Sequence, residues 1–185
     1  MQKPTELLVA EHDIIERMLN VLNEAADRLQ RGDAVAAELF VKAADFIQNF
    51  ADRCHHAKEE DILFKLMGER GIPTQGGPIA VMLIEHNQGR GYRKGLADAA
   101  ERLKNGDASA EQAVIENARN YSALLSQHIQ KENNILYPMA NQILSEQDQQ
   151  NLQREFERVE NDVIGKGVHE KYHHLVEELE KQMGL

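Results

Sequence analysis

The chain has 185 residues and a formal net charge of −10, with four Pro, one Cys, no Trp and 5% aromatic residues. An acidic chain repels phosphate backbones, no basic stripe marks a membrane surface, and no apolar run approaches the length of a bilayer span, so neither nucleic acid nor membrane is an expected partner. A lone cysteine forms no internal disulfide, and no apolar signal core follows Met1; both fit a soluble protein of a reducing cytoplasm. Abundant Ala, Leu, Glu, Gln and Lys favour helices over strands.

The expected fold class is all-α. Pro4 suits a first helical turn, and Leu8, Ile14, Ile15, Met18 and Leu22 follow at helical spacing. Arg31-Gly32-Asp33 interrupts the pattern, and a second helix is expected from about Ala34 to Met67. The segment from Gly68 to Pro78 holds four Gly and two Pro and reads as a loop. A third helix is expected over Ile79–Lys104, weakened by Gly89, Gly91 and Gly95. After the Asn105-Gly106-Asp107 turn, Ser109 can cap a fourth helix that reaches about Ile143, with Pro138 expected to kink or interrupt its last turns. Ser145 and Asp148 form a capping pattern for a fifth, polar helix with Leu152, Phe156, Val159 and Val163 as apolar contacts. Gly165 and Gly167 are expected to break it before His169–Lys181. The organisation is an up-down-up-down four-helix bundle over 1–143 and a C-terminal helical extension over 144–185 packed on it.

The chemistry is written twice. His55-His56-Ala57-Lys58-Glu59-Glu60-Asp61-Ile62-Leu63-Phe64 aligns without gaps on His128-Ile129-Gln130-Lys131-Glu132-Asn133-Asn134-Ile135-Leu136-Tyr137. His, Lys, Glu, Ile and Leu coincide, and Phe faces Tyr. Upstream lie Glu11-His12 and Glu85-His86; His12 to His55 spans 43 positions and His86 to His128 spans 42. Residues i and i+4 share a helix face, so each His-x-x-x-Glu pair can reach one point. With turns near residues 33, 73 and 107, and about 1.5 Å of rise per residue, the folded helices bring His12, His55, Glu59, His86, His128 and Glu132 to one height. Four histidines and two carboxylates inside an apolar core need a partner, and a pair of cations supplies it. The donors suit iron, zinc or manganese rather than calcium or magnesium. The choice of His55 and Glu59 over His56 and Glu60 rests on the internal repeat; His56 and Glu60 are then supporting or solvent-facing groups.

This ordered set resembles the hemerythrin-like, cation-binding HHE family, with the likeness covering about residues 5 to 143. The resemblance implies a non-haem two-iron site in which His12, His55, His86 and His128 are terminal ligands and Glu59 and Glu132 are bridges. It departs from the oxygen-carrying hemerythrins, which place a further histidine where Arg90 stands and bridge with an Asp one residue beyond the place of Glu132. Arginine stays protonated and does not ligate, so the second metal is expected to be one protein ligand short, with Arg90 turned outward or onto Glu60. The resemblance to the non-carrier branch implies binding or sensing of oxygen, nitric oxide or iron under stress. Turnover of peroxide or nitric oxide, and a structural or interaction bundle, stay open as alternatives, as do enzymatic activity and a homodimer. Glu11 and Glu85 read as surface residues, His169, His173 and His174 as a solvated cluster, and Cys54 as a small buried hydrophobe. Tyr92, Tyr121 and Tyr137 read as core residues that can also lie near the metals.

Overall fold

The computed structural model describes residues 3–165 and 167–185; the side chains of residues 163 and 164, and with them the expected contact of Val163, lie outside the described set. Every regular element in it is helical. Helix α1 is Pro4–Gln30, with Pro4 in its first turn, where the missing N–H is no loss. Helix α2 covers residues 37–69: α-helix Ala37–Phe46 passes into π-helical stretches Ile47–His56 and Glu59–Leu63, then returns to α-helix at Phe64–Glu69. Helix α3 is Gly77–Lys104. Helix α4 covers residues 108–143, as a 3₁₀ turn Ala108–Ala110, α-helix Glu111–Lys131, a π turn Glu132–Leu136 and α-helix Tyr137–Ile143. Helix α5 is Glu146–Arg158 prolonged by a π turn Val159–Gly165, and α6 is Val168–Met183.

Three local expectations change. Asp107, rather than Ser109, caps the start of α4: its carboxylate accepts both the Ser109 N–H and the Ser109 hydroxyl, so the serine is used up inside the first turn. Pro138 does not interrupt α4. It follows a π turn, where the α-helical hydrogen-bond ladder is already reset, so its missing N–H is accommodated. Gly89 does not weaken α3, which runs unbroken. A Cβ there would stand 3.4 Å from Leu125 Cδ2 and 3.6 Å from the Tyr121 ring, so Gly89 sits in close contact with α4. The Ser145–Asp148 capping box forms as expected.

Helix α3 packs on α2 and α4, α1 packs on α4, and α6 lies along α1. Apolar side chains gather in two clusters at different heights. One contains Leu22, Phe40, Phe46, Phe50, Leu96 and Leu125, and α6 adds Tyr172, Val176, Leu179 and Met183 to it. The other contains Leu8, Phe64, Met82 and Tyr137, with Leu152 and Phe156 from α5. Fully burying such side chains contributes about 1.5–3 kcal/mol each, which holds the helices together on both sides of whatever lies between. Between them lies a polar layer. His12 stands between Leu8 and Ile14, His55 between Phe50 and Leu63, and His128 with Glu132 between Leu125 and Leu136. Among the described residues no helix is long and apolar enough to cross a membrane.

Candidate metal centre

The structure brings all six expected side chains into that layer, and it adds His56. All seven are at most 2% exposed. They form two groups, each with its ligand atoms within 4.8 Å of one another: His12, His55, Glu59 and Glu132 in one, and His56, Glu59, His86 and His128 in the other. Glu59 belongs to both. Glu132 also faces both, with Oε2 3.1 Å from His12 Nε2 and Oε1 3.0 Å from His128 Nε2. His55 Nε2 and His86 Nε2 lie 3.6 and 3.4 Å from Glu59 Oε2.

Each of the five rings is oriented from behind. Nδ1 faces an oxygen of Asn133 in His12 (2.8 Å), Glu11 in His55 (2.8 Å), Asp52 in His56 (3.1 Å), Glu60 in His86 (2.6 Å) and Glu85 in His128 (2.9 Å). These oxygens only accept, so every Nδ1 carries its hydrogen and every Nε2 turns inward. There it can offer a lone pair to a cation. The Nε2 atoms of His86 and His128 point at each other across 3.0 Å. His55 Nε2, His56 Nε2, Glu59 Oε2 and both Glu132 oxygens are buried without a hydrogen-bond partner. Orphaned buried acceptors of this kind are costly alone and are what a pair of cations would satisfy, so the residues present fit the group.

A description of the hemerythrin HHE cation-binding domain matches residues 3–140 of the chain. The chain belongs to this family. Uncharacterized proteins of Mycobacterium tuberculosis (strain H37Rv) and Mycobacterium bovis are each 23% identical to it over 180 residues, covering 97% of this chain and 70% of the relative.

Within this HHE domain, His56 corrects two expectations. It is not solvent-facing. It also supplies a third imidazole to the group of His86 and His128, which the presence of Arg90 made appear one ligand short. Arg90 pairs with Glu60 at 2.6 Å, as expected of a cation kept out of the site. Both candidate bridges, Glu59 and Glu132, open a π turn of the same length at matching places of the repeat. A third π stretch ends on His55 and His56. Such windings are rare, are frequent at functional sites and shift which side chains face inward. The internal repeat gives no sign of the role of His56, because Ile129 stands in its place in the other half.

Glu11 is buried rather than at the surface, and Glu85 is half-buried. Adjacent helical residues do point apart, and these two point at the neighbouring helix's histidine rather than their own. Glu11 also accepts from Lys58 Nζ, and Glu85 from Lys131 Nζ. The signal was present in the repeat, which contains Glu-His and Lys-Glu in both halves. Asn133 and Glu60 likewise occupy matching places and orient His12 and His86. Burial opposes ionisation of Glu11, but the imidazoles of His169, 3.7 Å away, and of His55, hydrogen-bonded to it, keep its carboxyl well below the usual range. Burial also opposes the charge on Lys58, and Glu11 more than restores it. Burial, reinforced by the nearby charges of His86, His55 and His128, holds His56 well below the usual imidazole value. Burial pushes the Cys54 thiol up to about 12, so it stays a protonated, inert packing group. Tyr121 is buried in the core, and Tyr92 is half-buried beside Gln88. His174 is exposed, while His169 packs on Phe50.

Proposed function

We propose that the chain binds two metal ions in its hemerythrin-like domain, iron before zinc or manganese, with Glu59 and Glu132 as bridges. His12 and His55 would be terminal ligands of one ion and His56, His86 and His128 of the other. The observation that carries this reading is the shared orientation of five rings, each with Nδ1 donating outward and Nε2 turned inward. A bound iron pair supplies one- and two-electron chemistry and open coordination positions for a small ligand. The proposed scaffold is an up-down-up-down bundle over 1–143 with the extension 144–185 docked on it. A site whose seven residues are this buried admits only a small molecule, so the proposed partner is a diatomic such as oxygen or nitric oxide, or peroxide. Sensing or binding of that molecule in a cytoplasmic stress response is the function favoured here.

Turnover of peroxide or nitric oxide is a second reading, and Tyr137 favours it. Its hydroxyl donates to Glu59 Oε1 at 2.6 Å and lies 3.4 Å from His12 Nε2, so a neutral proton donor borders the group with fewer imidazoles. Anaerobic loading with ferrous iron, followed by metal analysis, tests the metal reading. Close to two ions per chain are expected, and fewer than one overturns it. Stopped-flow mixing of the loaded protein with peroxide separates the two functions: a single stoichiometric oxidation supports sensing, and sustained breakdown supports turnover.

A further inference from the structure

The repeat builds the same outer triad twice, but the two copies meet different surroundings. Glu11 accepts from His55 Nδ1 and Lys58 Nζ, and Glu85 accepts from His128 Nδ1 and Lys131 Nζ. Side-chain exposure is 1% for Glu11 and 0% for Lys58, against 14% for Glu85 and 36% for Lys131. What closes the first copy is the C-terminal extension. Glu160, on the π turn that prolongs α5, takes a second hydrogen bond from Lys58 Nζ at 2.6 Å. His169, in the first turn of α6, places Nε2 3.7 Å from Glu11 Oε1 and rests its ring 4.9 Å from that of Phe50. That Nε2 is buried and has no hydrogen-bond partner in the chain. Glu11 is therefore approached from three sides, by His55, Lys58 and His169.

A buried ion pair holds its geometry only when its remaining hydrogen-bonding groups are met. Glu160 meets the ammonium of Lys58, and His169 stands over the free side of Glu11. Neither residue reaches the inner layer. They act on it through Glu11, whose carboxylate fixes the ring of His55, and outer groups of this kind set both the orientation and the basicity of a ligating imidazole. The second copy has no such roof among the described residues, so a duplicated sequence yields two unlike halves.

We propose that the C-terminal extension is a working part of the centre: Glu160 and His169 are positioning residues that clamp Glu11 on His55 and thereby set the properties of the ion held by His12 and His55. This rests on the two-metal reading above. Undocking the extension would loosen one ion and leave its neighbour, which makes the extension the place where a partner or a second signal can reach the centre.

The test uses the full chain loaded anaerobically with Mössbauer-active ferrous iron. The native chain is expected to give two quadrupole doublets of equal area. Glu160→Gln combined with His169→Phe, which keeps a ring on Phe50 but cannot bond Glu11, is expected to shift one doublet. It should also speed release of one iron to a chelator by about tenfold. Glu85→Gln is expected to shift the other doublet. His169→Gln, which retains an N–H for Glu11, should restore the native spectrum. Glu160→Gln alone, at a partly exposed position, gives the same comparison if the double variant does not fold. Two bound irons with neither doublet moved, or both moved alike, would overturn the proposal and leave the metal reading intact. A native chain that takes up no iron overturns both, and does so before any variant is made.

Discussion

Tyr137 donates its hydroxyl to Glu59 Oε1 across 2.6 Å, while its counterpart in the repeat, Phe64, has no hydroxyl to give. The rings otherwise play matching parts. Tyr137 stacks on His12 at 5.6 Å and Phe64 on His86 at 6.0 Å. Burial first, and then the charges of Glu132 and Glu59, keep the phenol well above its usual value, so it is a neutral donor at every physiological pH. Tyr137→Phe thus removes one hydrogen bond and little else. The metal-free chain should lose about 1–3 kcal/mol, the cost of leaving a buried carboxylate oxygen without its donor. Urea denaturation measures this. Iron content should stay near two; loss of a whole ion would mean that the hydroxyl is itself a ligand. If peroxide is turned over, the variant should be slower at unchanged iron content.

The choice between the two frames of the His-His-Ala-Lys-Glu-Glu run gives an ordered series. Glu59 is buried between both groups, whereas Glu60 lies at the rim, bonded to His86 Nδ1 and Arg90. Glu59→Ala and Glu132→Ala should each lose metal and folding stability together, because ligand burial is coupled to folding. Glu60→Ala should keep both ions and weaken one by about 10- to 100-fold, the usual cost of removing an outer partner. His56→Ala should retain one ion firmly and lose most of the other. Metal titration of the four variants checks the order. Glu60→Ala costing more than Glu59→Ala would show that the inner layer is assembled on the other frame.

Much of this was legible because the repeat is long and the helices are simple. The heights of His12, His55, His86 and His128 follow from turn positions and helical rise alone. Three things were hidden. The repeat sets Ile129 opposite His56, so it could not point to His56, which ends the π winding Ile47–His56 and faces inward. The reach of Glu11 and Glu85 runs between helices, and only knowledge of which helices are neighbours reveals it. The docking of the last helix, expected only as His169–Lys181, was hidden because Tyr172, Val176, Leu179 and Met183 sit among charged residues in sequence, yet α6 turns all four onto one buried stripe.

That stripe carries a pH-dependent anchor. Tyr172 donates to Asp45 Oδ2 at 2.8 Å, tying α6 to α2. Burial, then Asp45, pushes the phenol up to about 12, against about 10 for an unfolded tyrosine. The folded chain keeps this proton over a range where the unfolded chain has lost it. Stability from Tyr172 is therefore complete below about pH 10 and drains away as pH rises toward 12. Tyr121 and Tyr137 are shifted in the same direction, so the measurement is a difference. Between pH 9 and pH 11, on the order of an alkaline titration, urea midpoints should fall less for Tyr172→Phe than for the native chain. Parallel curves would remove the anchor.

Metal uptake should release protons, and His86 says why. In the chain without metal, burial opposes its charge, but Glu132, Glu59 and Glu60 outweigh burial and push the imidazole up to about 11. His12 is raised in the same way, by Glu132 above all once burial is set against it. Near neutral pH, His86 is thus an imidazolium whose extra proton sits on the inward Nε2, in the position a cation would take. A ring ligates only through a free lone pair, so that proton must leave when a metal enters. The metal-bound chain holds fewer protons than the free chain, so affinity must rise with pH, by about tenfold per unit for each proton released. Zinc serves as a redox-inert probe. Calorimetry at pH 7 in two buffers of different ionisation heat should give a net release of about one proton or more per chain. Glu60→Gln should reduce the release, because it removes one of the three carboxylates that hold the proton on His86. Uptake without proton release, at an affinity independent of pH, would mean that the inward nitrogens were already bare and that the carboxylates do not hold the empty centre together through that proton.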